Sequence, residues 1–149
     1  MKKLFIGLLA LGSFSSFGAE ALYGMNDNYS NESTERLDII SSIFNLTIND
    51  SYGLMTPKDN KQEFCLNVGT IDGHLEAVST IISEMPNASQ IFSNLNEFSC
   101  QVTQLKAYCD KGYSLYLKDC NKPFPRSFDQ AKEIAGSIYK EAERFNSSL

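Results

Sequence analysis

His74 is the single histidine of this 149-residue chain, and the carboxylates of Asp72 and Glu76 lie two residues to either side of it. An imidazole oriented by a carboxylate can act as a general base, so this group is the candidate for hydrolase chemistry. Such a base needs a nucleophile, and the chain has no Gly-x-Ser-x-Gly motif. The same spacing is typical of a helix N-terminus, with Asp72 as the cap and Glu76 near the positive end of the helix dipole. We favour that structural interpretation and assign no catalytic residue.

The other reactive side chains are four cysteines, which form no Cys-x-x-Cys motif and no zinc-type spacing with the histidine. We therefore predict two disulfides, no metal site and no cofactor. Four cysteines allow three pairings. Cys100 and Cys109 are excluded as partners if both lie on one helix, because nine residues then separate them by about 13 Å and a disulfide needs less than about 7 Å between Cα atoms. The cysteines are Cys65, Cys100, Cys109 and Cys120.

Two pairings stay open. We favour Cys65–Cys100 with Cys109–Cys120, because a short loop after a helix end closes easily and Cys65 then attaches an extended segment to the third helix. The alternative, Cys65–Cys109 with Cys100–Cys120, requires residues 113–120 to fold back along that helix.

A group of aromatic residues surrounds the turn before the last predicted helix. These side chains are predicted either to belong to the core or to line a small cavity for a hydrophobic ligand. The group comprises Tyr108, Tyr113, Tyr116, Phe124 and Phe128.

The remaining polar motifs have ordinary interpretations. Residues 49–53 resemble a fragment of an EF-hand loop but lack the later glutamate, so we predict a solvated turn. Six Asn-x-Ser/Thr sequons are glycan acceptors in a eukaryotic secretory pathway and helix caps or surface residues otherwise. They start at Asn28, Asn31, Asn45, Asn49, Asn87 and Asn146.

The N-terminus has the pattern of a Sec signal peptide. Lys2 and Lys3 precede an apolar run at 4–11, and Ala19 and Ala21 provide the small residues that a signal peptidase accepts. The run is about half the ~20 residues of a membrane helix, so we predict no transmembrane span in the mature chain. Export would place the protein in an oxidising periplasmic or extracellular compartment, as expected for a disulfide-bonded product of a Gram-negative bacterium.

The composition excludes one class of partner. The formal net charge is −5 and the sequence pI is about 4.8. Because phosphate recognition depends on Lys and Arg, we predict no nucleic-acid binding.

The elements that position these residues are helices. Apolar residues with helical spacing predict one over 34–49, a second from Asp72, a third ending near Gly112 and a last from Ser127, where Gln130 completes a capping box. Their stripes are Leu37, Ile40, Phe44 and Ile48; Leu75, Val78, Ile82 and Met85; Ile91, Leu95, Phe98, Val102, Leu105 and Cys109; and Phe128, Ala131, Ile134, Ala135, Ile138, Ala142 and Phe145.

The segments outside these helices complete the domain organisation. Phe64, Leu66 and Val68 alternate with polar residues, so we predict an extended stretch within 53–70. Residues 22–34 are rich in Asn and Ser, which predicts a flexible N-terminal arm. The expected organisation is a signal peptide at 1–21, the arm at 22–34 and a single helical domain at 35–149. The predicted fold class is all-α, a small four-helix bundle-like domain with two disulfides and a loose N-terminal arm.

These observations predict an exported, non-catalytic helical domain that binds another protein or a component of the cell envelope. The alternative is a carrier of a small hydrophobic ligand held near the aromatic group. A third and weaker hypothesis is a small exported hydrolase that uses His74.

Overall fold

The structure is a computed structural model that describes residues 14–55, 59–110 and 120–149, with side chains from residue 31 onward. It contains α1 (Phe14–Met55), α2 (Lys61–Ser83), α3 (Ala88–Cys109) and α4 (Phe128–Asn146). No strand occurs within these ranges. The all-α class predicted from the apolar periodicity is confirmed.

The chain divides into two units, Met1–Arg36 and Leu37–Leu149. In the first unit the backbone is helical from Phe14, and Arg36 donates to the Glu32 carboxylate at 2.8 Å. Residues 22–34, predicted as a loose arm, are therefore helical. Asn and Ser disfavour a helix by only about 0.5 kcal/mol each relative to Ala, and extending an existing helix is far easier than nucleating one.

Contacts in the second unit define the order of the helices. Thr47 and Gly53 of α1 approach His74 and Asn67 of α2, so the later residue of one helix meets the earlier residue of the other and the two run antiparallel. Helices α1 and α4 are antiparallel as well, because Phe44 packs on Phe145 whereas the later residue Tyr52 lies 6.2 Å from the earlier residue Tyr139, measured between the rings.

Helix α3 completes the arrangement. Its Asn94 carbonyl accepts from Arg144 of α4 at 3.1 Å, and its Lys106 pairs with Asp72 of α2. Residues Leu37–Leu149 thus form an up-down-up-down bundle in which α1 and α3 lie on a diagonal. The Phe44 ring of α1 lies 5.1 Å from the ring of Phe98 across that diagonal.

Most residues of the predicted stripes are buried in the core, although Leu37, Ile48, Cys109 and Phe128 are only partly buried. The core also includes four residues outside the predicted stripes, Leu54, Phe64, Val68 and Ile71. Phe44 also packs on Phe145, with ring centroids 4.4 Å apart, so three helices meet at one side chain. The buried stripe residues include Ile40, Leu75, Val78, Ile82, Ile91, Leu95, Phe98, Val102, Leu105, Ala131, Ile134, Ala135, Ile138, Ala142 and Phe145.

The first half of α2 corrects the predicted extended segment. Asn60 caps this helix by accepting from the amides of Gln62 and Glu63 at 3.1 and 3.3 Å, so α2 begins well before Asp72. The period-two reading fails because Phe64 and Val68 are also four residues apart. Both are buried on one helix face, while Leu66 between them is 68% exposed.

The C-terminal part of α1 corrects a second expectation. The helix continues through residues 49–53, where a turn is predicted, and ends at Met55. Ser51 and Leu54 are both fully buried, so the core stripe of α1 extends one turn beyond its predicted end.

The favoured disulfide pairing is wrong. The structure joins Cys65 to Cys109 and Cys100 to Cys120, each with 5.5 Å between Cα atoms. Because α2 and α3 form an antiparallel hairpin, the first turns of α2 lie beside the last turn of α3. Cys65 therefore meets Cys109, and Cys120 lies back beside the middle of α3.

The start of α4 follows the predicted capping box. Ser127 Oγ accepts from the Gln130 amide at 3.3 Å. The Gln130 side chain accepts in turn from the Arg126 amide at 2.8 Å, one residue before the cap. For α3, the cap position is Asn87, whose side chain makes no capping hydrogen bond. Gly112, the predicted end of the third helix, lies outside the described residues.

Candidate functional site: the His74 contact and the outer face of α1 and α2

His74 lies in the middle of α2, not in the first turn of a helix as predicted. Its Nδ1 is 3.0 Å from Thr47 Oγ1 and 3.8 Å from an Asp50 carboxylate oxygen, both on α1. The imidazole is half-buried, with a quarter of its side-chain surface exposed. Its partners therefore come from the neighbouring helix.

The hydrogen bonds around Thr47 assign the roles of the two groups. The Thr47 hydroxyl also donates to the Ile43 carbonyl at 2.9 Å, which leaves its oxygen to accept from the His74 Nδ1–H. Ser51, fully buried, donates to the Thr47 carbonyl at 2.7 Å. Both hydroxyls are thus bonded within α1. The arrangement joins α1 to α2 through a polar contact at the edge of the core.

The two carboxylates predicted to orient His74 have other positions. Asp72 lies on the side of α2 that faces α3 and forms an ion pair with Lys106. The hydrogen bond and the charge of Asp72 raise the pKa of the Lys106 ammonium above its ordinary value. Asp50 replaces Asp72 and Glu76 as the carboxylate beside the imidazole.

Sequence reasoning missed Thr47 and Ser51. Thr47 is 1% exposed and Ser51 is fully buried. Their signal was their spacing, because Phe44, Thr47, Ser51 and Leu54 continue one stripe at steps of three and four. Polar residues that continue an apolar stripe are candidates for a buried contact between helices.

The predicted aromatic group is only partly described. Tyr113 and Tyr116 lie outside the described residues. The Tyr108 ring lies 4.4 Å from the Lys61 ammonium, and Phe128 meets Phe64 edge-on with 5.3 Å between ring centroids. Phe124 is 39% exposed. Tyr108 and Phe128 therefore both contact the first turn of α2, and a ligand cavity among the five stays a prediction.

Exposed apolar side chains concentrate on α1 and α2. Of the seven large hydrophobic residues that the described part of the chain exposes, five belong to these two helices. Ile39 and Leu46 are 44% and 56% exposed, and their spacing of seven places them on one side of α1. The five are Ile39, Leu46, Tyr52, Met55 and Leu66.

We use the name outer face for the solvent side of the α1–α2 pair. The Asn67 amide lies 3.7 Å from the Cβ position of Gly53, so α2 adjoins α1 at this level, and the preceding residue Leu66 is 68% exposed. Gly73 has nothing within 4 Å of its Cβ position, so α2 is open to solvent there. The outer face comprises the exposed Ile39, Leu46, Leu66 and Ala77, and the half-buried Ile43 and Ile81.

Helix α4 presents a different surface. Lys132 pairs with Asp129 at 3.0 Å and Arg144 with Glu141 at 2.7 Å, so acidic and basic groups alternate along its solvent side. None of the exposed large hydrophobic residues in the described ranges lies on α4. Such a surface is typical of a helix whose outer side faces only water.

The described residues contain no group of three or more His, Cys, Asp or Glu side chains that could hold a metal ion. No helix among them is both long and apolar enough to cross a lipid bilayer.

Comparisons with known proteins give no relative. No family model, curated protein or solved structure matches this chain.

Proposed function

We propose that this protein is an exported, non-catalytic interaction domain that binds another protein through the outer face of α1 and α2. The observation that carries the proposal is that three of the seven exposed large hydrophobic residues in the described ranges, Ile39, Leu46 and Leu66, lie there, whereas none lies on the charged helix α4. Apolar patches on a folded domain are typical of protein-binding surfaces.

Export is the second part of the proposal. A signal-type N-terminus agrees with the two disulfides, which persist in oxidising compartments. Cleavage after Ala21 would leave every buried core residue in place, since the first of them in the described chain is Ile40.

The His74 contact favours the non-catalytic interpretation over the hydrolase hypothesis. A base for ester or amide hydrolysis must face a nucleophile that can leave its own hydrogen bond. Here the nearest hydroxyl, that of Thr47, is 1% exposed and donates into its own helix.

A native mass spectrum of the protein purified from its own host tests the proposal. We expect a complex of this chain with a second polypeptide, and a free mass equal to residues 22–149 less four hydrogens. A small-molecule adduct that leaves on gentle activation, with no polypeptide partner, would favour the carrier. A chain that retains residues 1–21 would contradict export.

A further inference from the structure

The two helix segments that carry the outer face are rich in acidic residues. Residues 37–55 and 59–84 carry seven acidic side chains and one lysine. That lysine, Lys61, lies over the Tyr108 ring on the side of α2 that faces α3. The acidic residues are Asp38, Asp50, Asp59, Glu63, Asp72, Glu76 and Glu84. Three of them are balanced by lysines of other helices, because Lys106 of α3 pairs with Asp72 and attracts Glu76, and Lys132 of α4 pairs with Asp59.

Two of these carboxylates directly border the apolar residues. Asp50 follows Leu46 by one helical turn and is 40% exposed. Glu63 is exposed and precedes Leu66 by three residues, so the two share one side of α2. The outer face is therefore an apolar strip with an acidic border.

The length of the strip follows from the pairing of the helices. The contacts of Thr47 with His74 and of Gly53 with Asn67 set the register of the two antiparallel helices. This register brings Leu54 to the level of Leu66 near one end of the pair, and Ile39 lies near the other end. Fifteen residues of α1 separate these ends, which corresponds to about 22 Å. A partner helix of about 15 residues has the matching length.

We propose that the occupant of the outer face is a polypeptide segment, apolar on one side and flanked by Lys or Arg. This inference rests on the proposed function and adds the chemistry of the partner. Apolar burial would supply the affinity, and the acidic border would select the partner and speed its association. A second copy of this chain would instead place acidic groups against acidic groups, and an anionic lipid surface would meet the same repulsion.

Two synthetic peptides of about 15 residues test the partner's chemistry. Both are amphipathic helices with Leu on one side. One carries Lys on the polar side and the other carries Glu. We expect the Lys peptide to bind the intact protein at least about tenfold more tightly in calorimetry at low salt, with a preference that shrinks as salt rises.

Matched variants separate binding at the outer face from general charge attraction. Leu66→Ser should lower the affinity for the Lys peptide by about tenfold, because the substitution removes an apolar contact from the strip. Phe92→Ser is the control, since Phe92 is 37% exposed on α3, and it should change the affinity by less than about twofold. The double variant Asp50→Asn, Glu63→Gln should flatten the salt dependence.

The outcomes distinguish the two proposals. If the Glu peptide binds as tightly and Leu66→Ser weakens it, the docking site stands but the basic partner is wrong. If Leu66→Ser changes neither affinity, the outer face is not a docking site and both proposals are wrong. A Leu66-dependent dimer in analytical ultracentrifugation would replace the basic segment by a second copy.

Discussion

The outer face of α1 and α2 and the solvent side of α4 belong to the same bundle but differ in chemistry. The first surface exposes Ile39 and Leu46 of α1 and Leu66 of α2, the last of them at 68%. The second carries ion pairs such as Lys132–Asp129. Since all these helices bury a complete core stripe, folding alone does not require Leu46 or Leu66 to be apolar. This difference is the basis of our proposal that a partner covers the first surface.

The largest expected effect comes from the core that both surfaces cover. Phe44 packs on Phe98 and Phe145 and is 1% exposed. Phe44→Ala should lower the free energy of unfolding by about 3–5 kcal/mol, because it removes a large apolar side chain and leaves a cavity. Urea denaturation followed by circular dichroism measures this. A loss below about 1 kcal/mol would contradict the position of α1 in the bundle.

The disulfides attach two different parts of the bundle to α3. Cys65–Cys109 closes a separation of 44 residues and Cys100–Cys120 one of 20 residues. Chain entropy predicts losses of about 4 and about 3 kcal/mol when each pair is replaced by Ser. Peptide mapping under non-reducing conditions checks the pairing itself, and a Cys65–Cys100 fragment would contradict it.

A smaller loss of stability is expected at alkaline pH, where Lys106 and Tyr139 lose the protons that they donate in hydrogen bonds. The pKa of Lys106 is raised by its hydrogen bond to Asp72, and that of Tyr139 by donation to the Glu143 carboxylate at 2.7 Å. Both groups favour the folded state while protonated. Their contribution is complete below the unfolded pKa values, about 10.4 for Lys and 10 for Tyr, and is lost as pH rises through the raised values.

Lys106→Met with Tyr139→Phe should therefore reduce the loss of stability that the wild type shows above about pH 10. Urea denaturation at a series of pH values checks this. Equal slopes in the variant and the wild type would contradict the raised pKa values.

The smallest change in the free energy of unfolding is expected when one exposed residue is replaced on each of the two surfaces. Leu66→Ser on the outer face and Lys140→Ser on α4 should each change the free energy of unfolding by less than about 0.5 kcal/mol, because both side chains are exposed. Thermal denaturation of the wild type and of the two variants measures this. A loss above about 2 kcal/mol for Leu66→Ser would mean that Leu66 belongs to the core instead.

The apolar periodicity was sufficient to predict the fold class, because each helix buries a stripe spaced by three and four residues. It failed at the start of α2, where Phe64 and Val68 satisfy the period of a strand and of a helix equally well. The cap at Asn60 and the exposure of Leu66 between these two buried residues separate the two interpretations.

The site was harder to predict than the fold because it depends on which helices become neighbours. The disulfide pairing follows from the antiparallel packing of α2 on α3, which brings Cys65 to Cys109. Likewise, Asp50 and His74 are distant in sequence and meet only after α1 packs on α2. The outer face becomes recognisable once the core stripes of both helices are assigned, since Ile39, Leu46 and Leu66 then remain outside.

Site-specific photo-cross-linking in the protein's own host tests directly whether another protein covers the outer face of α1 and α2. A photoreactive amino acid is placed at Leu66 on the outer face or at Lys140 on α4, and the cross-linked polypeptides are identified by mass spectrometry. We expect one dominant adduct with another protein from position 66 and none above background from position 140. The same adducts from both positions, or none from position 66, would contradict the proposal.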